Sequence, residues 1–157
     1  MNRNNRFIAI VVTLAAFLLV ANLWSRHKDR RITLYDGQGI IEIADQYIGT
    51  PYKSGGNSPA GFDCSGFTSF VYKKAGYTLS RTADGQYSEL NVVKKPQVGD
   101  LVFFRISGDR ISHVGIYAGN LKMIHAPSSG KTVEYADMTI NYWKTRYAGS
   151  RSVFQNE

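Results

Sequence analysis

Three side chains in this 157-residue chain are equipped for proton and acyl chemistry: Cys64, the only cysteine, and two of the three histidines, His113 and His125. A lone cysteine forms no internal disulfide, which leaves packing, metal ligation with other residue types, or the chemistry of its thiolate. The setting of Cys64 suits the last. Phe67, Phe70, Val71 and Ala75 follow at helical three-and-four spacing, Gly76 stands where a left-handed C-terminal cap falls, and Asp63 is a natural N-cap. Cys64 then lies in the first helical turn, where unpaired N–H groups and the positive end of the helix dipole, with a nearby imidazole, lower a thiol pKa. Burial as a small apolar residue remains the alternative on these residues alone.

The two histidines can be tested against strand geometry. They fall in consecutive strand-like segments joined by a turn near Gly119. Opposed residues of a hairpin have positions of constant sum, so His113 faces His125 only if that sum is 238. A three-residue loop, Ala118 to Asn120, meets the condition. A two-residue loop, Gly119-Asn120, puts the rings on opposite faces unless a bulge intervenes. If they share a face, His113, beside the small Ser112 and Gly115, suits the base that takes the thiol proton. His125 suits the group that orients it, and the Cys64 backbone N–H can stabilise an oxyanion. A purely structural role for either histidine stays open. Metal ligation by Cys64, His113 and His125 is the competing use, but no CxxC or HExxH spacing supports it, and neither metal nor cofactor is expected. His27 reads as solvated.

Composition bounds the rest. The net charge of +7 suggests a nucleic-acid partner until it is divided along the chain. Residues 1–31 hold six basic side chains against Asp29, and residues 32–157 hold 13 basic and 11 acidic ones, so the basicity belongs to the tail and no nucleic acid is expected. Phe7 to Trp24 is apolar apart from Thr13 and Asn22 and follows Arg3 and Arg6, the pattern of a membrane-directing segment, either a signal peptide or an uncleaved anchor. The expected organisation is therefore a membrane-directing segment with a basic junction, 1–31, and a second domain, 32–157. The expected location is the periplasm or cell envelope, where a single cysteine avoids unwanted disulfides.

Within the second domain a helix runs from the Asp36–Gly39 turn with Ile40, Ile41, Ala44, Tyr47 and Ile48 on one face, followed by a loop over 52–61 and the cysteine helix. A short helix over Thr82 to Leu90 comes next. Strands are expected at Leu101 to Phe104, Ile111 to Ala118, Leu121 to Ala126, Thr132 to Tyr135 and Tyr147 to Val153. Helices first and an antiparallel meander second make the class α+β.

At this point the chain resembles the NlpC family of papain-like cysteine peptidases that cut bacterial cell-wall peptide stems. The resemblance covers about residues 38–154. It rests on Gly49-Thr50-Pro51-Tyr52 with Gly55-Gly56, Phe62-Asp63-Cys64-Ser65-Gly66-Phe67, Arg81-Thr82, Gly99 to Phe104, His113-Val114-Gly115-Ile116-Tyr117 and Ile124-His125-Ala126, in that order. It implies a papain-like fold with Cys64 as nucleophile, His113 as base and His125 as orienting residue. Tyr52, Asp63, Ser65 and Arg81 are then expected to line the substrate site. It also implies peptidoglycan as substrate and hydrolysis of a stem-peptide amide, most often D-γ-glutamyl-diaminopimelate. An amidase or acyltransferase on the same fold, or a wall-binding module without catalysis, are the competing readings. Ser54 replaces the family's bulky residue and Ser80 its usual proline, both near the expected substrate groove.

Overall fold

The computed structural model describes residues 12–24 and 37–154, and the chain divides into two compact units, Met1–Leu34 and Tyr35–Glu157. In the first unit residues 12–24 form a helix, α1, whose side chains are all exposed. Among the described residues no helix is long and apolar enough to cross a membrane. Residues 7–11 of the apolar run lie outside the described residues.

The second unit begins with α2, Gly37–Asp45, which buries Ile40, Ile41, Ile43 and Ala44. Ile48, expected on that face, is exposed because the helix stops at Asp45 and the chain turns through Gly49 at φ 85°. The loop that follows contains a small ribbon, β1 Asn57–Ser58 and β2 Gly61–Phe62. Helix α3, Cys64–Lys74, starts at the expected cap: the Asp63 carboxylate accepts from the Gly66 N–H at 2.7 Å. It ends with Gly76 at φ 89°. Thr82 caps α4, Ala83–Glu89, accepting from the Gly85 N–H at 3.1 Å.

Six strands form one antiparallel sheet in the order β3-β8-β4-β5-β6-β7, comprising Asn91–Val93, Tyr147–Ser152, Leu101–Phe104, His113–Gly119, Lys122–His125 and Glu134–Asp137. The expected meander is β4 to β7. The last strand does not extend it but returns to lie between β3 and β4, and a four-residue helix, α5 Asn141–Lys144, precedes it. β3 is short and mostly exposed, so no alternation marks it in the sequence. β7 begins two residues later than expected. The backbone of Val133 bonds to Gly49 and Thr50, at 2.9 and 2.8 Å, before the chain joins β6.

β4 explains why a strand can be apolar at every position. Leu101 and Phe103 pack on the core under α2 and α3, while Val102 and Phe104 pack with Met123 and Trp143 on the other face. Burying each such side chain stabilises the fold by about 1.5–3 kcal/mol. Tyr72 of α3 adds a buried polar tie, its hydroxyl donating to the Gly99 carbonyl.

The turn between β5 and β6 settles the parity of the histidines. It is made by Asn120 and Leu121, both at positive φ, 50° and 56°, between Gly119 and Lys122. Continued regularly, this register would set the rings on opposite faces. The register shifts between Tyr117 and Gly119, so that Ile116 pairs with Ile124 and Tyr117 with Met123, positions that add to 240. The even sum puts His113 and His125 on one face, as diagonal neighbours, with Gly115 opposite His125.

Close backbone approach anchors the start of α3. A Cβ on Gly66 would lie 2.0 Å from the Gly56 carbonyl oxygen, which backbone cannot vacate cheaply. Gly66→Ala is therefore expected to destabilise the domain by about 1–3 kcal/mol. Urea denaturation checks this, and an unchanged midpoint contradicts the close approach.

Candidate active site

Cys64 is half-buried where the start of α3 meets the first residues of β5. Its thiol points at the Ser112 carbonyl oxygen, 4.0 Å away, and backbone N–H groups of Val114, Ser65 and Cys64 itself donate toward the sulfur. The sulfur is thus held by the two residues that flank His113. The sequence leads one to expect a thiol pKa lowered by the helix start. Instead it is raised: burial, then the negative charge of Asp63, outweigh the N–H donors.

The two rings meet at 2.8 Å between His113 Nε2 and His125 Nδ1, nearly perpendicular to one another. Gly115 makes this diagonal meeting possible, since a Cβ there would press on the His125 Cβ at 3.3 Å and the Met123 sulfur at 2.7 Å. Both rings are buried, and burial lowers the His113 pKa to about 4 and, together with the His113 charge, that of His125 to about 3. At neutral pH both are uncharged. His113 Nε2 is committed to His125, which leaves Nδ1 to exchange a proton with a thiol. His125 Nε2 is buried without a hydrogen-bond partner.

A groove of about 810 Å³ runs past the sulfur, lined by Tyr52, Asp63, Ser65, Arg81, Asp84 and Arg110 among others. All four residues expected to bind substrate are therefore gathered here. Three of them satisfy one another. Arg81 forks onto both Asp63 oxygens at 2.9 and 2.6 Å and also donates to Ser65 Oγ at 3.1 Å. The Tyr52 phenol pKa is raised by burial and by the neighbouring Cys64 and Asp63, so it stays a proton donor at neutral pH. A second hollow of about 560 Å³, among Phe104, Tyr117, Trp143 and Tyr147, is lined by neither Cys64 nor a histidine.

Two supports of the site carry no local mark of that role in the sequence. Trp143 stacks on His113, centroids 5.3 Å apart, and meets His125 edge-on at 5.1 Å. In the sequence Trp143 stands out only as an aromatic beside Tyr142, and nothing local ties it to residue 113. Gln86 is fully buried and bonds Thr68, Ser69 and the carbonyls of Ser65 and Ser80, fastening α4 to the first turns of α3. A glutamine in a short polar helix carries no sequence mark of such a role.

Comparison with known proteins places this geometry. Residues 49–152 match the NlpC/P60 family. The chain is 40% identical over 112 residues to the "Probable peptidoglycan endopeptidase LytE" of Bacillus subtilis (strain 168), a match covering 71% of this chain and 33% of that one. It is 39% identical over 115 residues to "Murein DD-endopeptidase MepH" of Escherichia coli (strain K12), covering 69% of this chain and 42% of the other. A crystal structure of an NlpC/P60 family protein from Bacillus cereus ATCC 10987 superposes with a TM-score of 0.72 at 35% identity, over 74% of this chain and 40% of that chain. The chain thus spans less than half the length of these relatives.

Asp63→Asn keeps a capping side chain but removes the charge beside the sulfur. The thiol pKa should fall, and alkylation of Cys64 by iodoacetamide at pH 7 should accelerate; an unchanged or slower rate contradicts the assigned cause. The buried histidines also make stability depend on pH. Unfolding lets them protonate near the ordinary 6.5, whereas the folded values are about 4 and about 3. The unfolded state therefore binds more protons in this window, and stability should be complete above about pH 6.5 and decline as the pH falls toward 3. Urea midpoints at pH 7.5 and 5 measure the decline, which should be shallower in His125→Gln.

Proposed function

The chain belongs to the NlpC/P60 family, a family of cysteine peptidases, and from that membership we propose that it is a peptidoglycan endopeptidase acting through Cys64, His113 and His125. The carrying observation is the 2.8 Å contact between the imidazoles beside a sulfur held by the residues that flank His113. The proposed bond is D-γ-glutamyl-diaminopimelate in the stem peptide.

In this reading the resting state is a neutral thiol beside a neutral imidazole. As the sulfur attacks the amide carbon, its proton passes to His113 Nδ1, and the resulting imidazolium donates through Nε2–H to His125 Nδ1. The Cys64 backbone N–H and the Tyr52 hydroxyl are donors near the developing oxyanion. His113 then gives its proton to the leaving amine, the C–N bond breaks, and a thioester remains on Cys64. Water attacks that thioester, with its proton taken by His113, and the acyl group leaves as a carboxylic acid while the thiol is restored. Charge forms on His113 only during the reaction, so the low pKa values set by burial keep the base free of its proton at neutral pH. Arg81 and Asp63 shape the groove rather than exchange protons.

The same reading assigns residues 7–24 the role of a membrane-directing segment, which carries the domain to the cell envelope as a signal or an anchor. The apolar run preceded by Arg3 and Arg6 supports it.

Incubation of the full chain with purified muropeptides, followed by mass analysis, tests the proposal. Cleavage between D-glutamate and diaminopimelate is expected, and Cys64→Ala should abolish it. No change in muropeptide mass overturns the substrate assignment, and activity in Cys64→Ala overturns the mechanism.

A further inference from the structure

The reaction demands one particular tautomer of His125. A single proton lies in the 2.8 Å contact between His113 Nε2 and His125 Nδ1. If it sits on His125, neutral His113 carries its own proton on Nδ1, the atom that must receive one from the thiol, and the base is blocked. If it sits on His113 Nε2, Nδ1 is free, His125 Nδ1 accepts, and the proton of His125 moves to Nε2. Only this second arrangement is reactive. It leaves an N–H at a buried nitrogen that has no partner among the described residues.

That nitrogen belongs to a residue lining a hollow of about 450 Å³, whose walls include Lys131, Glu134, Tyr142 and Trp143. Two charged groups there would choose between the tautomers in opposite senses. A lysine ammonium donates and would hold His125 Nε2 bare, the blocked state. A carboxylate accepts and would hold Nε2–H, the reactive one. Position favours the carboxylate. Glu134 stands directly opposite His125 in the β6–β7 ladder, so the two side chains share a face, with Cβ atoms about 4.5–5.5 Å apart. Glu134 is half-buried and takes no part in an ion pair or side-chain hydrogen bond among the described residues, whereas Lys131 is exposed on the loop.

We infer that Glu134 is a positioning residue that accepts a hydrogen bond from His125 Nε2–H, directly or through one water, and so holds the histidine pair in its reactive tautomer. The inference rests on the proposed thiol chemistry for its consequence but not for its geometry. The groups facing His125 are His113 from β5, Trp143 from α5, Lys131 from the loop and Glu134 from β7, with Tyr135 and Asp137 farther along the wall. Glu134 is thus the carboxylate opposed to His125 in the ladder, and Lys131 is the cation whose charge acts on the ring.

Nitrogen-15 NMR of the histidines in the full chain reads the tautomer without requiring activity. The unsubstituted protein should show His125 protonated at Nε2, Glu134→Gln should keep that tautomer through its amide oxygen, and Glu134→Ala should move it toward Nδ1–H. On a muropeptide that the unsubstituted protein cuts, Glu134→Ala should lower kcat by about tenfold with KM unchanged. Glu134→Gln should lose less. In both variants the acid limb of kcat/KM should move to lower pH, because an imidazolium forms less readily without the carboxylate. Retention of the Nε2–H tautomer in Glu134→Ala, or an unmoved acid limb, overturns the inference. If muropeptides are not cut at all but the tautomer responds to Glu134, the proposed substrate fails while this assignment stands.

Discussion

Two imidazole rings hydrogen-bond inside this protein because an antiparallel ladder gained one residue. The side-chain alternation of a strand has a period of two, so an even or odd register decides whether two residues share a face at all. The turn at Asn120 and Leu121 sets the wrong parity, and the shift between Tyr117 and Gly119 restores the right one. Other features of the site follow from this. Gly115 has to be bare because it lies opposite His125, and Trp143 can stack on one ring and meet the other edge-on because they converge on one face of the sheet.

Convergence in the interior has an electrostatic cost. Both rings lose water and resist protonation, and the thiol, flanked by Asp63, resists losing its proton. The helix start and β5 together supply three N–H groups to the sulfur, but these do not replace full hydration beside a carboxylate. The Asp63–Arg81 fork limits the damage by balancing the carboxylate with a guanidinium while leaving it free to cap the helix. The resulting ground state is uncharged at the sulfur and at both rings, a condition compatible with a stable core around Phe62, Phe67 and Val114.

What could be read from the sequence was local or periodic. Asp63 and Gly76 mark the ends of the cysteine helix because capping depends on a few adjacent residues, and Leu101 to Phe104 reads as a strand because both of its faces are buried. The family motifs locate the groove residues Tyr52, Asp63, Ser65 and Arg81, which the fold gathers around the sulfur. What could not be read depends on distant partners. The bulge is a compromise between a turn and a ladder, and the late start of β7 reflects the pairing of Val133 with Gly49 and Thr50. The direction of the Cys64 pKa depends on burial contributed by the whole domain. Trp143 and Gln86 reach the site from segments whose composition gives no sign of it.

The place of β8 bears on the order in which this protein becomes itself. The strand that ends at Ser152 pairs with both β3 and β4, so the strand that comes last in the order of this sheet's chain segments occupies an interior position in it. Until it arrives, β3 has no strand to join, Leu101 to Phe104 lacks a neighbour on one edge, and Trp143, shortly before it in the chain, has no fixed seat beside His113. The contacts that close the sheet join residues about sixty apart, such as Val92 with Arg151. A chain emerging from its N-terminus can form α3 early, but cannot complete the histidine pocket before β8 is out. Assembly of the site is thereby tied to the arrival of β8: a product interrupted before it carries the thiol without the closed sheet around the two histidines.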